Sequence, residues 1–190
     1  MVNPFRQLKY NAIGNLICLG TYSFILCLKS WAIINNLEFS LREINLQELG
    51  GWVDTQHFKK MCTKANISKY SDIRDDCEIL GNYEMGGILL ILFAVFGMGI
   101  QAYNILSSFA SGYRLNIEII ETEFPHLIAP ISFTVALLLY LISIIFHNFE
   151  PQLAFYLYLI NLIFSYILAI HYKIFKSHIE GKNPNFNFIL

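Results

Sequence analysis

The sequence predicts a mainly α-helical integral membrane protein, a bundle of four transmembrane helices with one sizeable folded loop between the first two. Three observations carry this. Of 190 residues, 55% are hydrophobic and 14% are charged, where a soluble domain carries about a quarter charged residues. The charges gather in residues 38–84, in 113–123 and at the two ends. Between those clusters lie four long apolar runs, and a helix needs about 20 mostly apolar residues to cross a bilayer.

The spans are placed at 11–34, 85–109, 126–146 and 151–175, with an outer loop at 35–84, all in one membrane domain covering 1–190. The first run is too long for the apolar region of a signal peptide, and no small-residue cleavage motif follows Trp31, so it reads as a retained helix. Pro125 suits a helix start, where its missing N–H costs nothing. Pro130 lies one turn deeper and frees a carbonyl that packing must satisfy. Pro151 is expected to open the fourth span. Only His147, Asn148, Phe149 and Glu150 separate spans three and four, which therefore form a tight antiparallel hairpin.

Orientation follows from basic residues near the span ends. Arg6 and Lys9 flank the first span, Arg114 lies between the second and third, and Lys173, Lys176 and Lys182 accompany the end of the fourth. Both termini are therefore expected on the cytoplasmic side. The long loop also carries Arg42, Lys59, Lys60, Lys64, Lys69 and Arg74, but a folded loop of this length is partly exempt from the rule. The net charge of -1 and the lack of any dense Lys/Arg block exclude nucleic acid as a partner.

Few polar groups interrupt the spans. Lys29 lies about one turn from the outer end of the first, where it can snorkel to the headgroups beside Trp31, an interfacial anchor. Gln101, Asn104 and Ser108 form an i, i+3, i+7 stripe in span two, and Asn161 and Ser165 an i, i+4 pair in span four. Either set could line a pore, but the commoner role of such groups is interhelical hydrogen bonding, each worth about 1 kcal/mol. Gly14, Cys18 and Thr21 make a small-residue face on span one. No acidic residue lies in the middle third of any span, which argues against a proton-coupled transporter.

The loop is too long for a simple connection. Phe39, Leu41, Ile44, Leu46 and Leu49 recur as in two short strands. Gly50 and Gly51 before Trp52 permit a sharp turn or the close approach of another backbone. Of the four cysteines, Cys18 and Cys27 lie in span one and act as small hydrophobes, whereas Cys62 and Cys77 lie in the loop. Two loop cysteines on the outer face of a membrane read as a disulfide, worth about 3 kcal/mol in the chain-entropy model. The rival reading is a metal site with His57, against which stands the lack of a Cys-x-x-Cys. Asn66-Ile67-Ser68, between these cysteines, is an N-glycosylation sequon.

Together, four spans, inner termini, Trp31 at the end of span one, Gly50-Gly51-Trp52, Cys62 and Cys77 resemble the claudin superfamily. That group includes claudins, the peripheral myelin protein family and calcium-channel gamma subunits with their receptor-associated relatives. The family pattern W…GLW…C…C is matched by residues 31–77, and the topology by the whole chain. The resemblance implies a small extracellular antiparallel sheet in the first outer loop, with Trp52 tucked against the bundle and a disulfide tying two strands. Gly51 stands where the family has leucine, ten residues separate Trp52 from Cys62, the connection between spans three and four is short, and Phe188-Ile189-Leu190 is no PDZ-type tail. These departures point away from a paracellular-barrier claudin and toward a distant, claudin-like accessory protein.

No Ser/His/Asp arrangement, His-Glu-x-x-His or glycine-rich phosphate loop is present, so no enzyme activity and no cofactor are expected. His57, His126, His147, His171 and His178 are scattered; a haem between His126 and His171 is the weaker reading against two interfacial histidines. The expected function is a non-enzymatic accessory or scaffold subunit in the plasma membrane, contacting lipid and a larger partner such as an ion channel or receptor. Its rivals are a supernumerary subunit of a mitochondrial inner-membrane complex, a self-associating cell-contact protein, and a small transporter using Gln101, Asn104, Asn161 and Ser165.

Overall fold

A computed structural model of the chain describes residues 4–34, 37–46, 51–57, 60, 71–114, 124–144 and 149–179. Four long helices dominate: α1 (Pro4–Leu26), α2 (Ser71–Arg114), α3 (Phe124–Ile144) and α4 (Leu153–Ile179). Five short strands accompany them: β1 (Ala32–Ile34), β2 (Leu37–Phe39), β3 (Glu43–Leu46), β4 (Gly51–Asp54) and β5 (Phe149–Pro151). The helices alternate in direction, so one end of the bundle holds the start of α1 and the end of α4, the terminus side, and the other holds the sheet. Among the described residues, three helical segments are long and apolar enough to cross a membrane: Leu80–Phe109, Pro125–Ile144 and Leu153–Ser177. Their outward faces are apolar, with Leu92, Phe96, Leu106, Ile142, Ile160 and Ile163 all exposed. A soluble surface would not tolerate so much contiguous apolar area, and this is an integral membrane protein.

The first expected span divides in two. Its helix stops at Leu26, eight residues before the expected end at Ile34. The amides of Cys27 and Leu28 turn back onto the carbonyls of Phe24 and Ile25 at 3.0 and 3.1 Å, tightening the last turn. The rest of the apolar run is strand β1, whose Ile33 and Ile34 favour extended backbone. Helix α1 is not among the three spanning segments, because Lys9, Asn11 and Asn15 interrupt its apolar run. Pro151 closes β5 instead of opening the fourth helix, a place an edge strand allows because proline lacks an N–H. Gln152 immediately precedes helix α4, and its carbonyl accepts the Tyr156 amide at 3.3 Å. Pro130 lies within α3, which continues through it.

The strands form one antiparallel sheet in the order β4-β3-β2-β1-β5. The pair β2 and β3 answers the two strands expected near residues 39–49. The sheet is not confined to the first loop, because the short α3–α4 connection supplies β5. Direct cross-strand partners share a face. One row runs Pro151, Ala32, Phe39, Ile44, Val53; the next runs Glu150, Ile33, Glu38, Asn45, Trp52. The first row looks into the bundle: Ala32, Phe39 and Ile44 are buried and join the main core, with Val53 packed on it. The second row faces away and is largely polar. Ser40 sets the β2–β3 turn, its hydroxyl accepting the amides of Arg42 (3.2 Å) and Glu43 (2.8 Å).

Candidate functional site

Two regions carry what is distinctive: the junction between sheet and bundle, and the polar interior toward the termini. At the junction Trp31 is fully buried. Its ring meets Tyr140 at 5.9 Å and Tyr158 at 5.8 Å, and Tyr140 meets Tyr83 at 5.8 Å. Phe39 of the sheet lies 4.4 Å from Tyr83, which continues the chain of rings from strand to helix. The Tyr83 and Tyr140 hydroxyls share a hydrogen bond at 3.1 Å, and the Tyr158 hydroxyl donates to the Phe133 carbonyl at 3.0 Å. Trp31 Nε1 has no hydrogen-bond partner among the described residues, so ring packing holds the indole in place. Its backbone is fixed as well: Trp31 N–H donates to the Phe39 carbonyl at 2.9 Å, and its carbonyl accepts from Gln152 at 3.1 Å. The expected interfacial anchor is thus the pivot where β1, β2 and the start of α4 meet.

The Gly-Gly-Trp segment behaves differently from the expectation. Gly51 opens β4 with φ at +136°, a conformation that L side chains rarely adopt. Trp52 follows on an edge strand, in the row that faces away from the bundle, and is half-buried instead of joining the core. Its ring lies 5.6 Å from the Lys29 ammonium, which also pairs with Glu43 at 3.5 Å. Lys29 lies beyond the end of α1 with a largely exposed side chain, so it stays solvated without snorkelling. Gly50, Cys62 and Asn66 fall outside the described residues, as does the side chain of Cys77, and with them the expected disulfide and glycosylation site. Cys18 and Cys27 are free thiols. His57 is exposed beside the end of β4, and among the described residues no cluster of histidine, cysteine or acidic side chains could hold a metal.

The second region brings together polar residues from three helices. Asn161 clasps α4 to α1, its amide donating to the Cys18 carbonyl at 3.0 Å while the Cys18 thiol donates to the Asn161 carbonyl at 3.8 Å. Gln101, Ser165 and Asn161 turn their side chains toward that thiol. One and two turns nearer the termini, Asn15 donates to Asn11, and Asn11 donates to the Leu168 carbonyl at 3.2 Å. Asn104 ties α2 to α3 through the Pro125 carbonyl at 3.1 Å. Asn104 and Asn161 each make a hydrogen bond between two helices. Gln101 differs: it is 1% exposed, it comes within reach of the Cys18 thiol, and neither polar atom of its amide closes a hydrogen bond among the described residues. Asn104 Oδ1 and Ser108 Oγ are buried in the same state. His126 stacks flat on Tyr172, centroids 3.6 Å apart, whereas His171 is exposed, so the two histidines do not converge on a shared ligand.

Sequence reasoning missed Asn11 and Asn15, although their i, i+4 spacing marks them as one helical face. It also missed the buried ring cluster, because a tyrosine in an apolar run reads equally well as facing lipid. No family model matches the chain, and no curated protein matches its sequence.

Proposed function

We propose that this protein is a claudin-like, non-enzymatic accessory or scaffold subunit that associates with a larger membrane protein such as an ion channel or receptor. The observation that carries the reading is the sheet. It is assembled from both connections at one end of the bundle and anchored there by Trp31. A platform held this firmly presents its outer row of Glu150, Ile33, Glu38, Asn45 and Trp52 in a fixed register to whatever lies above the membrane. Below it, the apolar outward faces of the helices are available for lateral packing, the means by which membrane helices associate.

In this reading α1 is the fourth span. Its Asn11 and Asn15 are buried inside the bundle, while Leu16, Ile17 and Phe24 are exposed in the manner of a lipid-facing surface. The sheet is extracellular, both termini are cytoplasmic, and the membrane is the plasma membrane. Cys62 and Cys77 form a disulfide in the outer loop, and Asn66 carries a glycan. Peptide mapping under non-reducing conditions tests the former, and a mass shift on enzymatic deglycosylation tests the latter.

The deciding experiment is gentle solubilisation, native electrophoresis and mass spectrometry of whatever migrates with the chain. A stoichiometric channel or receptor is the expected result. A ladder of this chain alone would replace the reading with self-assembly, respiratory subunits would move the protein to the mitochondrial inner membrane, and a lone small species would overturn the accessory role.

A further inference from the structure

The terminus-side half of the bundle interior contains four buried polar atoms that the described residues leave without a partner: Gln101 Oε1, Gln101 Nε2, Asn104 Oδ1 and Ser108 Oγ. All lie on one face of α2, at i, i+3 and i+7, so they form a column about 10 Å long. Asn104 cannot correct its own deficit by turning over, because its Nδ2 is committed to the Pro125 carbonyl. The other three helices each bury an alanine: Ala12, Ala129 and Ala169. In lipid no outside water can reach such groups, and an unsatisfied one costs several kcal/mol, so a column of them calls for an internal partner. Successive members are about 5 Å apart along the axis, which is close to the span of one water accepting from or donating to both.

At its deep end the column meets a ceiling. The Tyr22 ring stacks on Phe133 at 3.8 Å and abuts Tyr158 at 5.1 Å. The Tyr22 hydroxyl, one turn along α1 from Cys18, is a further buried polar atom without a partner among the described residues. Beyond it the interior is filled with rings as far as the sheet. The polar column therefore ends inside the membrane and does not run through it.

We propose that this half of the bundle is a hydrated well: a file of water molecules bound by Ser108, Asn104 and Gln101, reaching the Cys18 thiol and the Tyr22 hydroxyl and stopping at the Tyr22–Phe133 stack. The ligand is water itself, and the site is blind at its deep end, where the ring stack closes it. It rests on the arrangement of the bundle alone, so it stands or falls independently of any partner.

Hydroxyl-radical footprinting of the full chain in lipid nanodiscs tests it, since radicals born from bound water modify the side chains that touch that water. Tyr22 and Tyr140 provide a matched pair, because both are fully buried tyrosines. The expected result is modification of Cys18 and Tyr22 several-fold faster than that of Tyr140, with Gln101→Leu abolishing the excess while Tyr10, on the surface, labels as before. Equal, slow labelling of Tyr22 and Tyr140 with Cys18 untouched would overturn the proposal. So would labelling of Tyr22 and Tyr140 at equal high rates, which would mean water passes the whole length of the bundle.

Discussion

The two ends of the bundle interior solve the same problem in opposite ways. Near the sheet, α1, α2, α3 and α4 contribute rings, and the Tyr83, Tyr140 and Tyr158 hydroxyls are paired. Near the termini they contribute amides, small hydroxyls, a thiol and alanines, and several buried polar atoms find no partner among the described residues. Rings fill space and exclude water, so one end is rigid enough to carry a sheet. Short polar side chains leave room and invite water, so the other end is held by discrete clasps such as Asn161 to Cys18 and Asn104 to Pro125. Substitutions at the two ends should therefore differ in size and in kind.

The largest effect is expected at Trp31. Replacing it by alanine removes the ring that packs against Tyr140 and Tyr158 just before β1 begins, and truncating a buried aromatic of this size costs about 3–5 kcal/mol. Thermal unfolding in detergent should show a correspondingly lower midpoint, and limited proteolysis should cut first in the sheet. If the sheet stays protected while stability falls, the ring cluster supports the helices and not the platform. Gly87 tests the same end from the other side. A Cβ there would meet the backbone carbonyl of Leu41, beside the β2–β3 turn. Gly87→Val should cost about 1–3 kcal/mol by overpacking, with proteolytic exposure near residues 41–43. A silent Gly87→Val would mean that the turn moves freely, and the contrast in rigidity would fail.

The sequence revealed these two ends unequally. The stripe of Gln101, Asn104 and Ser108 was visible because polar residues stand out in an apolar run and their spacing places them on one face. The ring cluster was not visible, because Tyr22, Tyr83, Tyr140 and Tyr158 carry no mark that separates core from lipid-facing surface when both are apolar. The sheet was partly legible. Residues 39–49 suggested strands, but β1 was absorbed into an apolar run long enough to be taken wholly for helix, and β5 is only three residues long. Trp31 drew attention for its type and position, yet its burial depends on rings from α3 and α4 that meet only in the folded chain.

At the terminus end the effects should be smaller. Asn161→Ala removes the hydrogen bond to the Cys18 carbonyl between α4 and α1. Interhelical hydrogen bonds in membranes average well under 2 kcal/mol, and about 1 kcal/mol is expected here, read as a modest drop in unfolding midpoint. A loss as large as that of Trp31→Ala would show that the clasp organises the whole bundle.

The smallest effect on stability is expected at Gln101, although its amide is almost completely buried. Its amide exchanges hydrogen bonds with water in the well just as it would in the unfolded chain, so its net contribution is small. Replacing a buried polar group and its partners by apolar volume is often nearly neutral. Gln101→Leu should therefore change stability by less than about 1 kcal/mol, while removing the footprint from Cys18 and Tyr22. A dry interior would behave otherwise. There the unpaired amide costs stability in the native protein, and leucine would relieve that cost and raise the unfolding midpoint by several degrees, the shift about 1–3 kcal/mol produces. The sign and size of this one change separate a bundle that hydrates one of its ends from a bundle that is dry throughout.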